Sequence, residues 1–251
     1  MIKDIPAIDI HCHCDAGSLL DRGSSDTYKI SIDFLRDEHR QMGVHKTAFA
    51  GTFAAVETDR VIEEENERLA KISQTEDWFY QWVVVDPRKP QTYKQAEKLL
   101  KSKKTLGIKL HPGLHGYSLV KYGDDIFSFA NELNTVVLTH PAEDDKRENV
   151  SIASIAGRYE NMKLIIAHLA NKDHVNAVLA AENVYVDTSG NASTQNNVIE
   201  YAVETIGSEK ILFGTDTYSC AFQKGRILLS RISQKDKENI LRKNAERIFS
   251  L

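Results

Sequence analysis

The sequence predicts an α/β protein in which eight parallel strands, each followed by a helix, close into a single (β/α)8 barrel over residues 1–251. Three observations carry this expectation. Strand and helix patterns alternate along the chain, as parallel strands joined by crossover helices require. A length of 251 residues suits eight such units in one domain. Finally, Pro87, Pro112 and Pro141 each follow a strand pattern directly. Proline forces the residue before it into extended geometry and cannot continue a ladder, so His111 and His140 fall at strand ends. An open doubly wound sheet would call for a glycine-rich phosphate turn after the first strand, and the sequence has none there.

The elements follow in order. Residues 7–11 are a short apolar run ending at His11. A helix is expected over 31–41, with Phe34, Leu35, His39 and Met42 near one face. Residues 44–51 read as a strand, and 57–73 as a long helix with Val61, Ile62, Leu69 and Ile72 inward and Glu63, Glu64 and Glu65 on a solvated face. Aromatic and β-branched residues mark a strand over 79–85, before a helix over 92–102. Strands then fall at 106–111, 135–140, 163–168, 184–187 and 211–216. The helices between them fall at 125–133, 152–159, 173–181 and 194–206. Ser233 and Asp236 have capping-box spacing and open a last helix carrying Ile240, Leu241, Ala245 and Ile248.

Composition narrows the function. With 41% hydrophobic and 27% charged residues, the chain can bury a core, which excludes disorder as its main state. No apolar run approaches the ~18 residues of a membrane helix, and Met1 to Asp4 carry no secretory apolar region. A net charge of −4 offers no general attraction for nucleic acid. Cys12, Cys14 and Cys220 are too few for a disulfide framework. The expectation is a cytoplasmic protein that acts on a small molecule, with neither membrane nor nucleic acid as partner; a homo-oligomer is left open.

The sharpest local feature is the run Asp9-Ile10-His11-Cys12-His13. Alternation along a strand points His11 and His13 one way and Cys12 the other. Two imidazoles so spaced form a compact chelate for zinc-like metals. With nine histidines in the chain such a pair also arises by chance, so its company decides. His140, His168 and Asp216 end the fifth, sixth and eighth predicted strands, and barrel strand ends converge on one site. A structural zinc cluster from His11, Cys12, His13 and Cys14 is a rival, but adjacent residues face opposite sides of a strand. Cys12 is expected to pack against the helices. Cys14, just past the strand, and Cys220 are read as bystanders. Asp9 is expected to face away from the histidines as a structural acid. Asp187 and Ser189 either touch the site or shape a turn. His39, His45 and His174 are read as structural or exposed.

The ordered set Ile8–His13, Gly107–Pro112, Leu138–Pro141, Leu164–His168, Val184–Ser189, Ile211–Asp216 and Asn244–Phe249 resembles the amidohydrolase superfamily, in its amidohydrolase-2 branch of metal-dependent hydrolases with the TIM-barrel fold. The resemblance implies a divalent metal held by His11, His13, His140 and Asp216, with His168 beside it as a ligand or a catalytic group. The chain is shorter than many relatives, and the stretch after Asp216 lacks the proline common there. The relatives include hydrolases, lactonases, decarboxylases and hydratases, so the branch leaves the reaction open.

Lys109 shares a strand face with Gly107 and His111 and is expected to point into the barrel. It either stays an ammonium that binds a substrate anion, is carboxylated to bridge two metals, or forms an ion pair with no part in turnover. The ammonium and a mononuclear site, most simply zinc with one ion per chain, are the reading adopted. The expected function is a metal-dependent hydrolase in which activated water attacks the carbonyl carbon of a small anionic lactone, amide or ester. Asp216 would accept the water proton and pass it to the leaving group. His168 would orient or protonate the substrate, and Lys109, His111 and His115 would bind it. The alternatives are a metal-dependent decarboxylase of an unsaturated or aromatic acid and a catalytically silent metal scaffold. A TatD-like nuclease would carry a glutamate where the fourth strand here ends in Lys109 and His111.

Overall fold

The computed structural model describes residues 4–14, 32–51, 61–142 and 147–251. Eight strands, β1 (Ala7–Cys14), β2 (Val44–Gly51), β3 (Phe79–Val84), β4 (Thr105–Leu110), β5 (Val136–Thr139), β6 (Lys163–Ile166), β7 (Val184–Asp187) and β8 (Ile211–Leu212), lie in one sheet in sequence order. Every neighbouring pair is parallel. The sheet closes on itself where the Ile10 N–H donates to the Phe213 carbonyl at 3.0 Å and the Thr215 N–H to the His11 carbonyl at 3.0 Å. This is the (β/α)8, or TIM, barrel that the alternation predicts.

The main helices are α1 (Ile32–Gln41), α2 (Val61–Thr75), α3 (Pro90–Leu99), α4 (Leu119–Glu132), α5 (Glu148–Ala156), α6 (Lys172–Ala180), α7 (Val198–Ile206) and α8 (Cys220–Leu228). The expected starts of the first two helices, residues 31 and 57–60, lie outside the described residues. Local chemistry sets several helix starts. Pro90 opens α3 where its missing N–H costs nothing. Ser118, Asn171 and Ser219 cap α4, α6 and α8 through side-chain oxygens that accept backbone N–H groups. The capping box at Ser233 is present, with Asp236 as its second member.

Helix α8 is absent from the expectations. It contains Gly225, and the residues it buries include Gln223 and Lys224 as well as Cys220 and Ile227, so it lacks an apolar stripe. Lys224 is fully buried and donates to the Asp4 carboxylate at 2.9 Å and the Met42 carbonyl at 2.5 Å. Two further expectations change. Phe34 is exposed, while Leu35 and His39 turn inward from α1. Glu65 is buried rather than solvated and pairs with Arg68 at 2.9 Å.

Most strand residues are buried on both sides of the sheet, as barrel strands are. One apolar set fills the barrel: Ile8, Ile10, Ala48, Ala50, Trp82, Val84, Leu138, Ile165, Ala167 and Leu212 belong to a single cluster. Ala245 and Ile248 join that cluster from the C-terminal helix Asn244–Phe249, and Phe249 meets Trp82 edge-on at 5.7 Å. The opposite strand faces, including Val83, Ile108, Leu110, Val137, Ile166 and Val186, pack with helix residues such as Ala96, Ile126, Phe127, Ile152 and Ile199. With the C-terminal helix packed into the apolar interior, polar side chains gather at the C-terminal strand ends, the face on which barrel enzymes build their sites.

Candidate metal centre

Strand β1 runs to Cys14, three residues beyond its expected end, because an irregularity between Asp9 and Cys12 shifts its register against β2. Plain alternation would put Asp9 on the same face as His11. The bulge changes this, since an extra residue re-aims the side chains around it. Ile10 joins the interior cluster, whereas Cys12 and Cys14 pack outward with Leu35, Phe49, Leu69 and Phe79. Trp82 pins the bulge by donating its indole N–H to the Ile10 carbonyl at 2.7 Å. Cys14, placed past the strand by the sequence, is instead a buried strand residue.

Asp9 turns toward α1 and β8. It accepts from the Thr215 hydroxyl at 2.6 Å, from the Thr215 and His11 amides at 3.1 and 3.0 Å, and lies 3.3 Å from His39. Asp9, Cys12 and His39 bring possible ligand atoms together. Burial pushes the Cys12 thiol well above its usual range, and Asp9 is engaged by four groups, so this cluster is packing and hydrogen bonding.

At the strand ends, His11, His13 and Asp216 each place one ligand atom within 4.8 Å of the other two. Asp216 Oδ1 lies 3.2 Å from His13 Nε2 and 3.7 Å from His11 Nε2, and Oδ2 lies 4.0 Å from His168 Nε2. The chain reaches these positions through unusual backbone. His168, Asp216 and Thr217 adopt positive φ of 62°, 56° and 63°, a conformation that costs non-glycine residues energy and collects at functional sites. Strands β6 and β8 end at Ile166 and Leu212, before residues 168 and 216 to which the sequence expected them to run. Gly214 allows this crossing to approach β1, because a β-carbon there would lie 2.8 Å from His11 Cβ. Thr217 then grips the β1 end, accepting from the His13 amide at 2.9 Å and donating to the His13 carbonyl at 3.0 Å.

Hydrogen bonds determine where the imidazole protons sit. Asp187 Oδ2 lies 2.8 Å from His11 Nδ1. A carboxylate only accepts, so His11 carries its proton on Nδ1 and turns a bare Nε2 toward Asp216. Lys109 Nζ donates to that Nε2 at 2.7 Å. His140 Nδ1 lies 3.1 Å from the Pro141 carbonyl and is likewise a donor, which leaves its Nε2 without a proton. His111 is reversed: its Nδ1 accepts from the Leu114 amide at 3.3 Å, so the proton is on Nε2. The His111 and His140 rings stack at 4.1 Å, and His140 meets His168 at 4.9 Å.

Burial, reinforced by Lys109, pulls His11 down to about 3, outweighing the attraction of Asp187. The His11–Asp187 contact is therefore a neutral imidazole on a carboxylate. His140 is drawn down to about 3 by burial, His168 and Lys109, and His111 is lowered further by burial and His140. Against the upward push of burial, the hydrogen bonds of His11 and Ser189 hold the Asp187 carboxyl, and that of His13 the Asp216 carboxyl, well below the usual carboxylate range. Lys109, fully buried, is lowered by desolvation to about 8 against the pull of Asp216 and Asp187, and remains largely an ammonium at neutral pH.

These residues fit a divalent metal. Nitrogen and carboxylate donors converge, and His11 donates its other ring N–H to a carboxylate, the usual partner of a metal-bound histidine. Of the predicted ligands, the structure gathers His11, His13 and Asp216. His140 lies outside that trio but beside His168. His168 forms its own group of close ligand atoms with His11 and Asp187. Lys109 points into the barrel. His111 caps the short helical turn Pro112–His115, and His115 closes it with its ring 6.1 Å from Tyr117. Three residues that hold the site were not singled out. Thr215 and Thr217 clamp β1, while Arg88 binds Asp86 and donates to the His115 carbonyl at 2.6 Å, fixing the turn after β4. In the sequence they are ordinary threonines and a loop arginine. Asp187 and Ser189, half expected at the site, are in contact with both His11 and His168.

The fold and the donor set together define a (β/α)8 barrel whose C-terminal strand ends carry a candidate divalent-metal site. The amidohydrolase family model, that of amidohydrolase-2, matches residues 8–251, and the chain belongs to that family. None of the curated proteins matches the sequence. Among solved structures, 2,6-dihydroxybenzoate decarboxylase from Rhizobium is similar at 14% identity and a TM-score of 0.75, over 98% of this chain and 99% of that one. The 5-carboxyvanillate decarboxylase of Novosphingobium aromaticivorans, complexed with manganese and 4-hydroxy-3-methoxy-5-nitrobenzoic acid, is similar at 14% identity and a TM-score of 0.73, over 98% and 96%. An Acinetobacter baumannii protein described as "probable 2-pyrone-4,6-dicarboxylic acid hydrolase", with citric acid bound, is similar at 15% identity and 0.70, over 98% and 100%. At these identities the likeness is one of fold.

Proposed function

We propose that residues 1–251 form one domain, a cytoplasmic metal-dependent hydrolase of a small anionic lactone, amide or ester, with one zinc ion held by His11, His13, His140 and Asp216. The observation that carries this reading is the convergence of His11 Nε2, His13 Nε2 and the Asp216 carboxylate, with the His11 ring oriented by Asp187. A divalent metal in such a site lowers the pKa of water and polarises a carbonyl oxygen.

The chain's own groups supply the rest. Asp216 is held ionised and is placed to take the proton of an attacking water and return it to the leaving group. His168 faces Asp216 through Nε2 and orients the substrate. His111 offers an Nε2–H donor to a substrate oxygen, and the Lys109 ammonium suits an anionic group. His115 completes the turn that carries His111.

The buried Lys109 ammonium also supports a second reading. A substrate carboxylate drawn to it would leave as carbon dioxide on C–C cleavage, the electron pair left on carbon taking a proton from His168 once that ring has itself been protonated, and the fold is shared with metal-dependent decarboxylases. Metal analysis combined with a panel of lactones, amides, esters and aromatic or unsaturated acids in oxygen-18 water separates these readings. Incorporation of the label supports hydrolysis, and carbon dioxide release without it supports decarboxylation. Metal binding with no turnover across the panel would leave a silent scaffold.

A further inference from the structure

We infer that Ser189 is a positioning residue that selects the ring tautomer of neutral His168 and, jointly with Asp187, that of His11, so that both neutral imidazoles present Nε2 to the site without a proton. Ser189 is fully buried at the end of β7, and its hydroxyl meets three groups: Asp187 Oδ1 at 2.5 Å, His11 Nδ1 at 2.9 Å and His168 Nδ1 at 2.9 Å. A hydroxyl has one proton to give. The short contact to an acceptor-only carboxylate takes that proton, so the Ser189 oxygen accepts from the two histidines. Each must then carry its hydrogen on Nδ1.

Two observations independent of the hydroxyl agree. The Ser189 carbonyl, which can only accept, lies 3.3 Å from His168 Nδ1. At the far side of His11, the Lys109 ammonium, which can only donate, meets Nε2 at 2.7 Å. The backbone supports the arrangement. Asp187 Oδ1 also accepts the amides of His168 and Ser189 at 3.0 and 2.9 Å, locking both residues to one carboxylate. Gly190, at a φ of 74°, leaves room for the ring, since a β-carbon there would lie 2.8 Å from His168 Nδ1. In its neutral form His168 is therefore a base or ligand at Nε2, and in that form it must receive a proton before it can donate one, which is a constraint on any acid–base role in turnover.

The relevance to catalysis rests on the metal reading above; the tautomer assignment does not. The test is long-range nitrogen–proton NMR of histidine-labelled, metal-free protein in the parent, Ser189→Ala and Ser189→Thr, with signals assigned by His11→Gln and His168→Gln. The parent should show both rings protonated at Nδ1. In Ser189→Ala, His168 should shift wholly or partly to the Nε2–H form while His11 stays with Asp187, and Ser189→Thr should restore the parent pattern. Ser189→Cys, close in size with a weaker donor, replaces the alanine variant if that one does not fold. An unchanged Nδ1–H pattern for His168 without the hydroxyl would overturn the inference, as would an Nε2–H ring in the parent. Zinc titration of the same samples reports separately on the metal reading. A parent that binds no zinc would sink that reading and leave the tautomer assignment standing.

Discussion

Lys109→Met should make the protein bind a divalent metal more tightly. The side chain is buried within the barrel, and its ammonium donates to His11 Nε2 at 2.7 Å, the lone pair that the metal reading assigns to the ion. Lysine and metal therefore compete for one atom. Hydrogen bonds that involve a charged group contribute about 1.5–3 kcal/mol. Metal binding to the parent must break this bond, whereas the methionine variant, with a similar stem and no donor, has none to break. At 1.4 kcal/mol per factor of ten, the variant should gain roughly 10- to 150-fold in affinity. Removing the repulsion between ammonium and metal acts in the same direction. Zinc competition against a chelating dye at neutral pH measures the difference directly. Melting of the metal-free and zinc-saturated forms should show a larger zinc-induced stabilisation in the variant. Unchanged or weaker binding would refute the argument. A fall in stoichiometry from two metals to one would instead identify Lys109 as a carboxylated bridging ligand and move the site to the binuclear type.

Other expectations follow from the same geometry. Replacing both His11 and His13 with Ala should abolish metal retention while far-ultraviolet dichroism stays that of the folded barrel; full metal content in that variant would remove the site. Asp216→Asn and His168→Ala should each lower turnover of a confirmed substrate by ~10²–10⁴-fold, the usual contribution of a positioned acid–base group, and parent rates in both would refute their roles. Burial works against the Asp86 carboxylate, yet the hydrogen bonds and charge of Arg88 hold it below its ordinary value. A depressed carboxyl stabilises the fold above its unfolded pKa of about 3.9 and loses that contribution as pH falls through the lower folded value. Arg88→Ala should therefore move acid unfolding, followed by dichroism, to higher pH; an unshifted acid limb would show that the clamp contributes nothing.

The sequence by itself determined the barrel and singled out most of the residues that converge at its strand ends. Alternating strand and helix patterns are a local record of eight crossover units, and proline after His111 and His140 marks the strand ends by backbone chemistry alone. Since barrel strand ends converge, the positions of His11, His13 and Asp216 in the chain sufficed to bring them together. What alternation cannot show is a change of register. Asp9 faces away from His11 as expected, but through a bulge in β1 that also carries Cys14 into the strand and depends on contacts with β2, Thr215 and Trp82 that are remote in sequence. The positive φ of His168 and Asp216 is equally non-local, because the surrounding packing must sustain the strain. Helix α8 left no apolar stripe to find, since Gln223 and Lys224 are buried by partners that only the closed barrel supplies. Above all, the tertiary structure decided the proton positions. Asp187 and Ser189 reach His11 from the end of β7 and Lys109 reaches it from β4, and only their arrival fixes its proton on Nδ1 and leaves the lone pair on Nε2.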